Sequence, residues 1–89
     1  MIKEQITIIN KLGLHARAAA KLAATCNHFA SSIKAGHSDK LIDAKSVMSL
    51  MLLAANQGTV LHFEFEGEDE QEAQQQVRTL IADYFGEGQ

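Results

Sequence analysis

The sequence predicts an α+β fold in which helices cover one face of a four-stranded antiparallel sheet. Two observations lead to this prediction. Short segments with alternating apolar residues are interleaved with segments whose apolar residues recur at helical spacing, in the order strand, helix, strand, strand, helix, strand, helix. Each strand has one apolar face and each helix one apolar stripe, which fits two layers with the far side of the sheet open to water.

The first half of the chain carries one strand, one long helix and a hairpin. "MIKEQITII" alternates, with Ile6 and Ile8 on one face, and "NKLG" supplies a turn. A helix is predicted from Ala16 to about His28, because apolar residues follow at i, i+3, i+4 and i+7, namely Ala19, Leu22, Ala23 and Cys26. "SSIKAG" and "KLIDA" flank "HSD" as two short strands.

The second half begins with a short helix, "VMSLMLLAA", for which Ser46 has the profile of an N-cap and Gly58 that of a C-cap. "TVLHFEFEG" is the clearest strand, since its apolar residues alternate strictly. The last helix is expected to start near Asp69, with Glu72 reaching back to complete a capping box, and to end at Gly86. Its apolar stripe comprises Ala73, Val77, Leu80, Ile81 and Tyr84.

Length and composition exclude several classes of protein. The 89 residues allow one domain, residues 1–89, and 46% of them are hydrophobic. A net charge of −3 argues against a nucleic-acid binder, and no apolar run is long enough to span a membrane. The N-terminus lacks the apolar region of a secretion signal, and the single Cys26 cannot form an internal disulfide. A cytoplasmic protein is therefore predicted.

His15 lies where the first helix begins, a position that serine, threonine, aspartate or asparagine would cap better. The first turn of a helix exposes backbone N–H groups, here those of Ala16, Arg17 and Ala18, and carries a partial positive charge. Such a turn binds phosphate, and the Arg17 guanidinium can add a further contact. Since imidazole is a nucleophile at neutral pH, the pattern indicates a histidine that takes up a phosphoryl group and passes it on.

The same spacing also fits an ordinary surface histidine at the end of a loop. No zinc site is predicted, because His28, His37 and His62 fall on different elements and no ligand pair has the usual spacing. The chain has no phosphate-binding glycine loop and no nucleophile elbow, and its size leaves little room to enclose a substrate. We therefore expect no cofactor, and a reactive side chain presented to other proteins rather than an autonomous enzyme.

Three motifs carry a resemblance to a known family. "NKLGLHAR" surrounds the histidine, "AKSVMSLMLLAANQGT" surrounds Ser46, and "EFEGEDEQEA" leads into the last helix. In this order, and over nearly the whole length, the chain resembles the histidine-containing phosphocarrier (HPr) family of the bacterial phosphoenolpyruvate-dependent sugar phosphotransferase system. The resemblance implies an open-faced β-sandwich, with four antiparallel strands and three helices on one face, in agreement with the predicted order of elements.

The resemblance also implies the chemistry and the partners. Phosphorylated enzyme I would transfer phosphate to Nδ1 of His15, enzyme IIA proteins would receive it, and Arg17 would be the active-centre arginine. Ser46 matches the residue that HPr kinase/phosphorylase phosphorylates in bacteria that have this kinase. At Ala18 the family usually has proline, so we expect the first turn of this chain to be less pre-organised. A monomer is the default for a carrier that must show one face to successive partners.

The second helix is apolar on all sides, which is unusual for a short surface helix and predicts exposed apolar side chains. A deeply buried helix is the alternative. Because the family uses this helix to contact enzyme I and the IIA domains, the expected interface consists of Val47, Met48 and Met51, with Ala20, Lys21 and Lys45 beside them. Methionine side chains adapt to several partners, and the lysines would meet acidic rims.

Three other functions remain open at this point. The nitrogen-related paralogue of the family would serve regulation instead of sugar uptake, and "NKLGLHAR" is compatible with it. A paralogue on the same fold could bind a transcription regulator without carrying phosphate, although such a protein would be expected to lack the active histidine. A small-ligand-binding α+β domain ranks last.

Overall fold

The computed structural model describes residues 1–89 and shows four strands and three helices in the predicted order. The strands are β1 (Ile2–Thr7), β2 (Ser32–His37), β3 (Lys40–Asp43) and β4 (Val60–Glu66). The helices are α1 (Ala16–Asn27), α2 (Val47–Met51) and α3 (Glu70–Ala82), and a single 3-10 turn, Tyr84–Gly86, follows α3. The sheet order is β1-β4-β2-β3 with every neighbouring pair antiparallel, so the predicted α+β architecture is confirmed.

Strand β4 organises the core because it pairs on both sides. Phe65 lies opposite Ile2 of β1 and opposite Ile33 of β2. The rings of Phe63 and Phe65 stack with centroids 5.8 Å apart, and both side chains are buried. On the other face of β4, His62 and Glu64 are partly buried, and the end residues Val60 and Glu66 are exposed. Helices α1 and α3 therefore cover one face of the sheet and leave the other open, as the alternation of "TVLHFEFEG" predicts.

Helix α2 is shorter than predicted, and Gly58 does not end it. The helix stops at Met51, and the chain turns away through Ala54, a non-glycine residue at φ 52°. Gly58 lies seven residues beyond the helix at φ 94°, and its N–H donates to the carbonyl oxygen of Ile8 at 2.7 Å. The glycine therefore serves the turn that leads into β4, where a left-handed residue costs little.

The capping box predicted at the start of α3 is wrong. Asp69 is the N-cap residue, but its side chain accepts hydrogen bonds from the N–H groups of Ala30 and Ser31, both at 2.9 Å, and from the Ser31 hydroxyl. Glu70, and not Glu72, binds a backbone N–H here, that of Gly67 at 3.1 Å. The loop after α1 offers the Asp69 carboxylate three donors, more than the first turn of α3 could offer it.

The end of α3 also differs from the prediction. The helix ends at Ala82, and Tyr84 and Phe85 adopt left-handed conformations with φ 56° and 53°. This reversal turns Phe85 into the core, where it is fully buried, and leaves Tyr84 37% exposed. Tyr84 therefore does not continue the apolar stripe of α3, since helical spacing holds only as far as the helix itself.

Asp69→Asn should lower the free energy of unfolding in a pH-dependent manner. The hydrogen bond from the Ser31 hydroxyl, followed by that from the Ala30 N–H, lowers the pKa of Asp69, whose ordinary value is about 3.9. A lowered pKa stabilises the fold above the ordinary value, and this contribution is lost as the pH falls through the lowered one. Urea unfolding should show a difference between variant and wild type at pH 7 that narrows below about pH 4.

Asp39→Asn is the matched control, because Asp39 is exposed in the turn between β2 and β3. It should unfold like the wild type at both pH values. A difference for Asp69→Asn that stayed constant with pH would contradict the assigned hydrogen bonds.

Ala18→Pro should stabilise the protein. Ala18 lies in the first turn of α1, and its N–H has no backbone acceptor, so that proline removes no hydrogen bond there. Proline restricts the unfolded chain, which is worth about 0.4–1 kcal/mol where the native backbone accepts it. Thermal unfolding should show a higher midpoint. Ala24→Pro, well inside the same helix, should instead cost about 3 kcal/mol or more. A lower midpoint for Ala18→Pro would show that the buried position of Ala18 cannot hold the proline ring.

Candidate functional site

His15 is the N-cap residue of α1, and its ring accepts the backbone hydrogen bond that a side-chain oxygen usually accepts at this position. The backbone is extended, with φ −77° and ψ −179°, and the carbonyl oxygen accepts the first helical hydrogen bond, from Ala19 N–H at 2.8 Å. The side-chain Nδ1 accepts a hydrogen bond from the N–H of Arg17 at 3.3 Å. A serine or aspartate oxygen would normally take this donor. His15 thus lies where the sequence placed it, with one ring nitrogen directed at the start of the helix.

The loop before His15 is fixed against the segment that follows α2. Gly13 has φ 69°, and a Cβ at this position would lie 2.6 Å from the carbonyl oxygen of Ala55. The N–H of Leu14 donates to that same oxygen at 2.8 Å. Only glycine fits this close approach, so the path of the chain into α1 is set by "NKLG" and by Ala55 in the segment that follows α2.

The second ring nitrogen of His15 faces a carboxylate that the sequence did not reveal. His15 Nε2 forms a short hydrogen bond with Oε2 of Glu87. Because Nδ1 accepts a hydrogen bond from the Arg17 N–H and Nε2 faces an acceptor, the neutral ring fits its surroundings when its proton is on Nε2. The His15 side chain is 29% exposed and that of Glu87 12%.

Glu87 is held from its other side by Asn10. Asn10 Nδ2 donates to Oε1 of Glu87 at 2.9 Å and to the carbonyl oxygen of Gly13 at 2.8 Å. Asn10 is fully buried, and its own Oδ1 has no partner. Burial raises the pKa of the Glu87 carboxyl, but the hydrogen bonds from Asn10 and His15 outweigh it and place the pKa below its ordinary value. The Glu87 side chain is therefore ionised at neutral pH.

The turn after α3 delivers Glu87 to this position. The buried Phe85 anchors the turn, and its carbonyl oxygen accepts a hydrogen bond from Lys21 Nζ of α1 at 2.7 Å. The N–H of Glu87 donates to the carbonyl oxygen of Tyr84 at 2.9 Å. No sequence signal links Glu87 to a residue 72 positions earlier, since the link depends on a left-handed reversal that helical periodicity does not show.

Arg17 and the free backbone donors of α1 surround Nδ1. The N–H groups of Ala16 and Ala18 have no backbone acceptor, whereas that of Arg17 is taken by His15. The Arg17 side chain is exposed and forms no ion pair or hydrogen bond. Ala16 and Arg17 line an open depression together with Leu12, His15, Gly86, Glu87 and Gln89, whereas Ala18 is buried beneath it. The Arg17 cation, the unpaired N–H of Ala16 and the positive end of the helix make the Nδ1 side of this depression suitable for an anion.

Ser46 has the predicted structural role at the start of α2. Its Oγ accepts a hydrogen bond from Ser49 N–H at 3.2 Å, and its carbonyl oxygen accepts one from Leu50 N–H at 3.0 Å. The side chain is partly exposed. The N-cap prediction is confirmed, and the helix that Ser46 caps packs against α1.

Helix α2 presents apolar side chains to solvent. Leu50 is fully buried, whereas Met48 is 73% exposed, Met51 44% and the following Leu52 82%. Val47 is half-buried against the core. The prediction that part of this helix is exposed is confirmed, and the alternative of a deeply buried helix is wrong.

The three remaining residues of the predicted interface have different surroundings. Ala20 is exposed on α1. Lys21 and Lys45 are not free solvated charges, because Lys21 binds the carbonyl oxygen of Phe85 and Lys45 binds that of Phe29 at 2.8 Å. Any contribution of these lysines to binding therefore starts from ammonium groups that already have a partner in the chain.

No other part of the chain gathers reactive groups. No cluster of three or more histidine, cysteine or acidic side chains is arranged to hold a metal ion. Burial raises the pKa of the Cys26 thiol to about 12, so that this cysteine stays a thiol at neutral pH. His37 Nε2 lies 3.1 Å from the carbonyl oxygen of Leu53, away from His15. None of the helices has the length and apolar character needed to cross a membrane.

Comparison with known proteins places this geometry in a family. The family model described as "PTS HPr component phosphorylation site" matches residues 2–83. Phosphocarrier protein HPr of Cupriavidus necator is 48% identical over 89 residues, which cover the whole of both chains. The crystal structure of HPr from Thermoanaerobacter tengcongensis has a TM-score of 0.93 and 42% identity and covers 98% of each chain.

A more distant relative is the catabolite repression protein Crh of Bacillus subtilis. Its crystal structure has a TM-score of 0.74 and 35% identity and covers 93% of this chain and 95% of the other. The match of the family model to most of the chain, the full-length similarity to HPr and the shared open-faced sandwich agree. The chain belongs to the HPr family of phosphocarrier proteins of the phosphotransferase system.

Proposed function

We propose that the protein accepts a phosphoryl group on Nδ1 of His15 from phosphorylated enzyme I and passes it to enzyme IIA proteins. One observation carries the proposal. Nδ1 is directed at the first turn of α1, where Arg17 is unpaired and two N–H groups are free. A nucleophile and an anion site therefore share one place. The reaction would take place in the cytoplasm on a monomeric carrier.

The transfer exchanges one hydrogen bond for several. The lone pair of Nδ1 attacks phosphorus and the new N–P bond forms, while the bond between phosphorus and the donor breaks and its electron pair returns to the donor. Nδ1 must release the Arg17 N–H, which then becomes available to a phosphoryl oxygen together with the N–H groups of Ala16 and Ala18. The Arg17 guanidinium adds charge-assisted contacts. Transfer to the acceptor reverses these events.

We propose that the partners dock on the exposed side of α1 and α2. Met48 and Met51 offer flexible apolar contacts that suit partners of different shape, and Val47 extends this patch towards the core. Ala20, Lys21 and Lys45 lie on the same two helices or at their ends. Helix α2 packs against α1, the helix that begins at His15, so a partner bound here reaches the histidine.

Ser46 is proposed as a site of regulatory phosphorylation by an HPr kinase/phosphorylase. A phosphate on Oγ would lie at the N-terminus of α2, where free N–H groups tolerate it. Its negative charge would lie beside the docking patch and would repel partners whose surface is acidic. The capping role and the regulatory role are compatible, because both use the oxygen of the same side chain.

A second candidate is an interaction module that binds a regulator without carrying phosphate. The similarity to the catabolite repression protein Crh favours this candidate over a small-ligand domain. The nitrogen-related branch would use the same phosphoryl chemistry on His15 but would receive the group from a different enzyme I and serve regulation instead of sugar uptake. The carrier is preferred because His15, Arg17 and the free N–H groups are all assembled at one site.

Incubation with enzyme I and labelled phosphoenolpyruvate tests the carrier function. The wild type should acquire an acid-labile label, and His15→Ala should acquire none. His28→Ala removes an exposed histidine at the end of α1 and should be labelled like the wild type. The nitrogen-related enzyme I, run in parallel, separates the two branches. Absence of label on the wild type with either enzyme would exclude the carrier and leave the interaction module.

Met48→Gln tests the docking patch. The side chain is 73% exposed, so the substitution should leave the fold intact while removing an apolar contact with the partner. We expect the KM for enzyme I to rise about five- to tenfold with kcat unchanged, as for the loss of an interface contact worth somewhat over 1 kcal/mol. Val60→Gln, 43% exposed on β4, is the matched control and should leave both constants unchanged. An unchanged KM for Met48→Gln would place the interface elsewhere.

A further inference from the structure

We infer that Glu87 is the positioning residue of the His15 imidazole: it fixes the tautomer and orientation in which Nδ1 is the free nucleophile. This inference deepens the proposed carrier function and rests on it. The two nitrogens of the ring have opposite neighbours, a donor, Arg17 N–H, at Nδ1 and a carboxylate, Glu87, at Nε2. Only the Nε2–H tautomer satisfies both.

The Glu87 carboxylate meets two donors at once. Oε1 accepts from Asn10 Nδ2 at 2.9 Å while Oε2 faces His15 Nε2. A carboxylate offers two acceptor oxygens, whereas the glutamine amide offers one acceptor and one donor. Glutamine at position 87 would therefore lose the bond to Asn10 or would turn its NH₂ towards Nε2. In the second case Nε2 would have to accept, and a proton on Nδ1 would then face the Arg17 N–H, so that neither tautomer satisfies both neighbours.

The orientation of Asn10 is itself determined. Its Nδ2 donates to both Gly13 and Glu87, while its Oδ1 is buried without a partner. Rotating the amide by half a turn would direct Oδ1 at two acceptor oxygens, so the present orientation is kept despite the unpaired Oδ1. Asn10 thus fixes one oxygen of Glu87, and the turn anchored by Phe85 fixes the backbone.

Glu87 has two effects on the transfer step. Before transfer, it retains the proton on Nε2 and leaves the lone pair of Nδ1 available for attack on phosphorus. When the Nδ1–P bond forms, the ring becomes positively charged while keeping its proton on Nε2, and the adjacent carboxylate compensates that charge. When the acceptor takes the phosphoryl group, the N–P electron pair returns to Nδ1 and the ring is neutral again. Glu87 does not touch the phosphoryl group.

The test compares Glu87→Gln and Glu87→Ala with Glu68→Gln, since Glu68 is exposed and has no hydrogen bond or ion pair. Nitrogen-15 NMR of the histidine rings at pH 8 reads the tautomer without any partner protein. Wild type and Glu68→Gln should show His15 protonated on Nε2. Glu87→Gln and Glu87→Ala should each show a mixture of both tautomers, because neither variant keeps a carboxylate at Nε2. Thermal unfolding establishes that each variant is folded.

Transfer from phosphorylated enzyme I gives the second measurement. Glu87→Gln should lower kcat about tenfold, the effect of losing one charge-assisted hydrogen bond, with KM within twofold of the wild type. A Nε2–H tautomer in all variants, or a kcat equal to that of Glu68→Gln, would overturn the inference. Failure of the carrier function is distinct from this: the wild type would then acquire no label at all, while the NMR spectra would still decide the role of Glu87 in orienting the ring.

Discussion

The site depends on a helix that is capped by an imidazole. At the start of α1, Nδ1 of His15 takes the Arg17 N–H that an oxygen would normally accept. A hydroxyl or carboxylate cap would stabilise a helix by about 1 kcal/mol and has no further use in transfer. The imidazole contact, at 3.3 Å, is long and therefore weak. A weak cap is easily exchanged, and the atom that makes it is the one that a phosphoryl group would occupy.

The turn after α3 contains backbone strain, and this strained conformation brings Glu87 to His15. Tyr84 and Phe85 both adopt left-handed conformations, which cost about 1–2 kcal/mol each for residues with a Cβ. Full burial of Phe85 is worth a similar amount, about 1.5–3 kcal/mol, and Lys21 adds a hydrogen bond to its carbonyl oxygen. The reversal persists because the core holds it, and its consequence is that Glu87 reaches His15.

The sequence predicts the elements better than the contacts between them. The strict alternation of β4 and the helical stripe of α1 predict burial correctly, since both patterns depend only on neighbours along the chain. Asp69 and Glu87 were misjudged or missed because their partners lie 38 and 72 residues away. Their carboxylates accept more hydrogen bonds from residues far away in the sequence than neighbouring residues could donate. The periodicity of apolar residues does not show such long-range contacts.

A phosphocarrier must release the phosphoryl group as readily as it accepts it, and the surroundings of His15 fit this requirement. The depression is open, and no loop closes over Nδ1. An enclosed anion site would bind phosphate more tightly, but tight binding of the intermediate would slow its transfer to the next protein. The exposed donors near Nδ1 are the N–H of Ala16 and the Arg17 guanidinium, and water can also satisfy both. The rigid contacts lie instead on the opposite edge of the ring, through Glu87 and Asn10. The fold therefore fixes the orientation of the His15 ring firmly but would bind the phosphoryl group only loosely.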